Sequence, residues 1–152
     1  MSGFDVKITD NSPEFLNELS NRVDKILEAV GIHLEGEAKE ELENSPRRID
    51  TGLLRNSITH ALSGEAPAIS SYSGDKPSRN GKSQEIPHGS YSGTAPTDPD
   101  NAKAVYIGSN VEYAAYVHEG TSRMSPNRFL KNAVVRNEKQ IKEYIEKGLK
   151  GQ

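Results

Sequence analysis

Among residues whose type and order match a known chemistry, the triplet Asp50-Thr51-Gly52 is the sharpest case. Asp-Thr-Gly carries the catalytic carboxylate of aspartic proteases, and half-size versions of those enzymes work as homodimers. Two carboxylates there share one proton, which requires a buried site between apolar strands. Here Ser-Pro-Arg-Arg-Ile precedes the triplet and Leu-Leu-Arg-Asn-Ser-Ile follows it, so Arg47, Arg48 and Arg55 lie close by in sequence. Nearby cations hold Asp50 ionised instead of preparing it to share a proton. The same residues suit a structural role, with Asp50 or Thr51 capping a short helical turn through Leu54 and Gly52 easing the bend. No catalytic residue is assigned on this basis, and an Asp50 protease homodimer is kept as the alternative from another class.

Other chemical patterns are weaker. His118-Glu119 lacks the second histidine of the H-E-x-x-H zinc-protease pattern, and His33, His60, His88 and His118 are scattered over four different elements. No metal site is expected. Gly89-Ser90-Tyr91-Ser92-Gly93 has tyrosine where a nucleophile elbow needs serine. Neither type of phosphate-binding loop is present, so no cofactor or small-molecule ligand is expected. The absence of cysteine excludes disulfides and thiolate metal sites and fits a reducing compartment. A formal charge of -3 gives no overall attraction to nucleic acid or anionic lipid, although a local basic patch remains open. The first residues lack a basic segment followed by an apolar one, and no window approaches the roughly 18 apolar residues of a membrane helix. The expectation is a single domain made in the cytoplasm, with no membrane partner.

The elements that must position these residues follow from periodicity. Residues 4–9 alternate apolar with polar side chains like a short strand. Asn11-Ser12-Pro13-Glu14 then announces a helix, and Phe15, Leu16, Leu19, Val23, Ile26, Leu27, Val30, Leu34, Ala38 and Leu42 follow at spacings of three and four. Continuous to about Asn44, that helix spans on the order of 45 Å, more than a domain of this size needs for its own core. Gly31 and Gly36 are its weak points, where a kink or break is plausible. Residues 57–62 and 103–109 are strand candidates. Residues 63–102 between them are dominated by Ser, Gly, Pro, Asp and Asn and read as a long mobile loop, with the repeat Ser-Tyr-Ser-Gly at 71–74 and 90–93. A second amphipathic helix is signalled from Ser125-Pro126 onward through Phe129, Leu130, Ala133, Val134, Ile141 and Ile145 to Gly148. The first helix is acidic, while the second, through residues such as Arg128, Lys131 and Arg136, is basic.

The stretch at 111–124 joins these elements. Tyr113, Tyr116 and Val117 fall at i, i+3 and i+4, and Ala114 and Ala115 permit close approach, which predicts a short helix over 111–119 stopped by Gly120. Thr121 to Met124 then link it to the second long helix. Tyrosine and arginine dominate protein interfaces, and Tyr113, Tyr116, Arg123 and Arg128 crowd this one junction.

Two segments taken together resemble the tail-component family of long-tailed double-stranded DNA phages, typified by the tenth gene product of HK-type lambdoid phages. The likeness rests on Asp50, Thr51, Gly52, Leu54, Arg55, Ser57 and Ile58, and then on Tyr106, Ile107, Gly108, Tyr113, Ala114, Tyr116, Val117, Gly120, Thr121, Phe129, Leu130 and Ala133. It covers residues 50–134 best. The resemblance implies a small α+β fold, and with the elements read above the expectation is a small antiparallel sheet, a long N-terminal amphipathic helix, a C-terminal helix and a long flexible loop between strands. It also implies a virion protein at the head-to-tail joint or in tail completion, assembled as a homo-oligomeric ring with other neck or tail proteins as partners. A ring around a DNA passage would make sequence-independent phosphate contacts, for which Arg47, Arg48, Lys76, Arg79 and Lys82 are candidates. A nucleic-acid-binding module is the third class of reading.

Overall fold

The computed structural model describes residues 12–44, 46–77 and 85–150, with residues 12–15 described by backbone alone. The strand expected at 4–9 lies outside the described residues, as do Arg79 and Lys82. The chain is α+β. It runs α1 (Ser12–Glu43), α2 (Leu53–Ser57), β1 (Thr59–Leu62), β2 (Ser71–Ser73), β3 (His88–Ser90), β4 (Val105–Gly108), α3 (Ala114–Glu119), α4 (Phe129–Arg136) and α5 (Glu138–Leu149).

The apolar spacing of the first helix has the anticipated consequence. Ile26, Val30, Leu34, Ala38 and Leu42 are buried along one face of α1, which spans about 48 Å from its 32 residues. The C-terminal half of that face packs on Leu54, Ile58, Val111, Val117, Phe129 and Ala133. Ile26, Val30 and Leu34 meet Val105, Ile107, Ile141 and Ile145. One antiparallel pair of strands lies against α1, with Thr59 opposite Gly108 and Leu62 opposite Val105. Thus the two candidate strands are neighbours, each shorter than its apolar stretch. No helix among the described residues is long and apolar enough to cross a membrane.

Neither glycine interrupts α1. Gly31 is buried where the helix crosses the sheet, and a Cβ there would fall 2.7 Å from His60 Cδ2 and 2.9 Å from Val105 Cγ2. Gly36 is exposed, with open space where a Cβ would stand. Opposite outcomes are expected for the same substitution. Gly36→Ala should stabilise the protein by up to about 1 kcal/mol through helix propensity. Gly31→Ala should destabilise it, because displacing a packed ring and a β-branched neighbour costs about 1–3 kcal/mol, more than the propensity returns. Urea unfolding of the two variants checks the signs.

The segment expected as one long loop contains the second strand pair. β2 and β3 pair antiparallel, with Tyr72 opposite Gly89. Both repeated tyrosines are used inside the chain: their rings lie 5.5 Å apart, Tyr91 donates its hydroxyl to Ser57 O at 2.7 Å, and Tyr72 donates to Asn110 Oδ1. Hydroxyl bonds and a tilted ring pair substitute here for the apolar alternation that normally marks a strand.

The C-terminal helix begins later than Pro126 suggests, at Phe129, and it is divided at Asn137. Asn137 Nδ2 donates to Ala133 O at 2.7 Å while its backbone takes φ -111° and ψ 14°. A side chain that occupies the carbonyl four residues back competes with the helical ladder, and α4 ends there.

Candidate functional site

In the segment 50–58 the N-cap of α2 is Gly52, with no side-chain cap bond, so neither Asp50 nor Thr51 caps the helix as expected, while the bend does fall at the glycine. Gly52 has φ 87°, in the left-handed region that favours glycine, and a Cβ would collide with the Asp75 carboxylate. Buried Thr51 accepts the Leu53 amide on its Oγ1 at 3.2 Å, a local turn bond just ahead of α2. The Thr51 carbonyl accepts the Asp75 amide at 2.6 Å, and Asn56 Nδ2 donates to Ser73 O at 2.8 Å, so the segment is fastened to β2. Leu54 and Ile58 enter the core, and buried Ser57 bonds Leu54 O and the Ser109 hydroxyl. Arg55 Nε reaches back to Glu43 Oε1 at 2.9 Å.

Asp50 itself is exposed, on the wall of an open cleft of about 470 Å³ that Arg47, Arg48 and Arg55 also line. Within one chain this is unlike the apolar burial that a shared proton requires. Tyr113 also lines the cleft. It is 42% exposed. Burial holds its phenol above the usual range, with the Asp50 carboxylate adding to the shift. Arg48 donates to Ser125 O at 2.9 Å and its Oγ at 3.1 Å, which joins the cleft to the approach to α4.

Tyr113 precedes α3, and the helix ends at Gly120, whose φ of 80° and close contact with Pro126 exclude a side chain. Val117 is buried under α3, while Tyr116 is 63% exposed, so the three residues at helical spacing divide between core and surface. Thr121 and Met124 pair as an isolated bridge, which presents Arg123 at the tip of a turn. Arg128 follows, exposed and 3.9 Å from Glu119. Phe129 is completely buried, with half-buried Leu130 beside it. On β4, Tyr106 is partly exposed and Gly108 stands opposite Thr59. The motif residues of 50–58 and 113–133 therefore gather around one core cluster, part of them inside it and part on the surface.

Three residues that spacing did not single out hold this framework. Asn127 is buried and donates from Nδ2 to Glu41 O and Pro46 O, both at 2.9 Å, satisfying carbonyls where α1 ends. Glu41, also buried, accepts two bonds from Arg136 Nη1 at 2.9 and 2.7 Å. His60, only 4% exposed, has Nε2 2.6 Å from Glu28 Oε1 and Nδ1 3.1 Å from Glu35 Oε1. Sequence hints were thin: an asparagine after proline, and glutamates 28 and 35 two helical turns apart on α1.

His60 predicts a pH dependence. Both acceptors are carboxylates, so both bonds require the imidazolium. Burial pulls the His60 pKa down, but hydrogen bonds and charge attraction from Glu28 and then Glu35 outweigh it, and the net shift is upward from 6.5. A pKa raised by folding stabilises fully below the unfolded value and loses that contribution as pH rises through the folded value. The urea midpoint is expected to fall as pH increases from about 6.5 upward, and His60→Gln should remove this part of the slope.

His118 is likewise structural in its contacts. Its Nδ1 faces Glu119 Oε1 at 2.8 Å, its Nε2 accepts the Lys131 amide at 3.3 Å, and its ring meets Phe129 edge-on. Among the described residues, no group of three or more acidic, histidine or cysteine side chains is placed to hold a metal.

Fold and site together define a small α+β protein with exposed aromatic and arginine side chains beside its core. Comparison with protein families, curated proteins and solved structures returned no match.

Proposed function

We propose that this chain is a structural protein of a long-tailed phage or prophage particle, acting at the head-to-tail joint or in tail completion and assembling as a homo-oligomeric ring without catalysing a reaction. The family resemblance of residues 50–58 and 105–134 supplies the biological setting. The observation that carries the assembly reading is the placement of Tyr116, Arg123 and Arg128 on the surface, over motif neighbours Val117 and Phe129 that are buried. Large aromatics and arginines exposed over a rigid core are what interface anchors require. Deleting the chain from the phage that encodes it is expected to leave filled heads and separate tails, with infectivity lost. Normal infectious particles would refute the reading.

Asp50→Asn separates this from the protease alternative. An assembly subunit should lose about 1 kcal/mol or less in stability and still assemble. A protease would lose peptide hydrolysis completely. Any contact with DNA in the channel would be electrostatic and weaken steeply with salt, with exposed Arg47 and Lys76 as its described cations.

A further inference from the structure

We infer that α5 is a strap that opens and closes as a unit about Asn137 while the rest of the chain stays folded, and that its position controls access to the apolar face of α1 at Ile26 and Val30. The two C-terminal helices differ in how they are held. α4 sinks Phe129 and Ala133 completely into the main core, whereas no residue of α5 is buried. Ile141 and Ile145, both half-buried, pack on Ile26, Val30 and Leu34 in the smaller cluster. Tyr144 and Leu149, 42% and 48% exposed, continue the stripe into solvent.

The polar fastening gathers at the start of the strap. His33 Nε2 lies 3.1 Å from Asn137 Oδ1 and 2.8 Å from Gln140 Oε1, and its ring meets that of Tyr144 at 5.6 Å. Among the described residues, no side-chain hydrogen bond or ion pair ties residues 141–150 to another element. The far end rests on an apolar contact at Gly148, where a Cβ would fall 2.3 Å from Ile26 Cγ1.

Asn137 stands between the helices, with φ -111° and ψ 14°, and its bond to Ala133 O keeps it with α4 whichever way α5 lies. The face beneath has other supports. Val105 and Ile107 pack on it from β4, His60 bonds Glu28 and Glu35, and Lys103 pairs with Asp24 at 2.7 Å. A helix of 12 residues is marginal without packing, so an opened α5 loses its backbone bonds as well. Elements with few buried contacts open at free energies below that of global unfolding.

Hydrogen exchange on the parent chain reads this opening. Amides of residues 142–149 are expected to exchange at least about tenfold faster than those of α4, at rates that change little with low urea. A lock supplies the second arm. The chain has no cysteine, and a Cβ on residue 148 lies 3.6 Å from Ile26 Cβ, inside the disulfide range of about 3.5–4.5 Å. Ile26→Cys combined with Gly148→Cys, once oxidised, is expected to slow α5 exchange to the α4 level, and reductant should restore it. The thiol of the Ile26→Cys single variant should be labelled with the low protection of the α5 amides. Exchange of α5 and α4 in one urea-dependent step would overturn the inference on the parent chain alone. So would α5 amides that exchange as fast with the disulfide closed as with it reduced, or a thiol as protected as the α4 amides.

Discussion

Replacing Phe129 with alanine is expected to remove about 3–5 kcal/mol of stability, a large part of what a domain of this size possesses. The ring is fully buried where α1, α2, α3 and α4 converge, in one cluster with Leu42, Leu54, Ile58, Val117 and Ala133. It also takes the edge of His118 at a centroid distance of 5.3 Å. Four elements meeting on one side chain leave little freedom to collapse into the void, which places the cost at the upper part of the range for aromatic truncation. The urea midpoint should fall steeply with the m-value unchanged, and Phe129→Leu should recover much of the loss. A decrease below about 1 kcal/mol would mean that this core is packed differently.

The second large effect leaves folding alone. Tyr116 is 63% exposed on α3, and truncating a surface side chain usually changes stability by about 0.5 kcal/mol or less. As a central interface anchor, the same tyrosine would contribute about 2 kcal/mol or more to each contact, which corresponds to roughly thirtyfold or greater weakening of subunit association. Tyr116→Ala is therefore expected to keep its melting temperature and dissociate. Sedimentation velocity beside a thermal scan reads both quantities. Unchanged assembly would remove Tyr116 from the interface, and a large fall in melting temperature would make it a folding residue.

Where the fold was legible in the sequence, the reason was periodicity or turn chemistry. α1 at Ser12–Glu43 follows from a proline-bearing start and an apolar face repeated over many turns. Gly52 and Gly120 mark bends that need positive φ, and both bound short helices as their placement suggested. The β2–β3 pair was not legible, because Ser, Gly and His strands have no apolar alternation and depend on Tyr72 and Tyr91 finding Asn110 and Ser57. His60 escaped for a related reason: its carboxylates belong to α1, and only packing of helix on strand brings Glu28 and Glu35 to it. The interruption at Asn137 depends on a side-chain bond to Ala133 O within an otherwise regular stripe. Of the junction, the aromatic and arginine content could be read directly, whereas the division of Tyr116 from Val117 between surface and core required the fold.

The central claim is that this chain completes its packing against identical copies. Native mass spectrometry of the purified protein over a range of concentrations, at low salt, tests it most directly. The account predicts a closed species of one fixed copy number that Tyr116→Ala abolishes. A strictly monomeric or dimeric chain at every concentration, accompanied by peptide hydrolysis that Asp50→Asn eliminates, would contradict it.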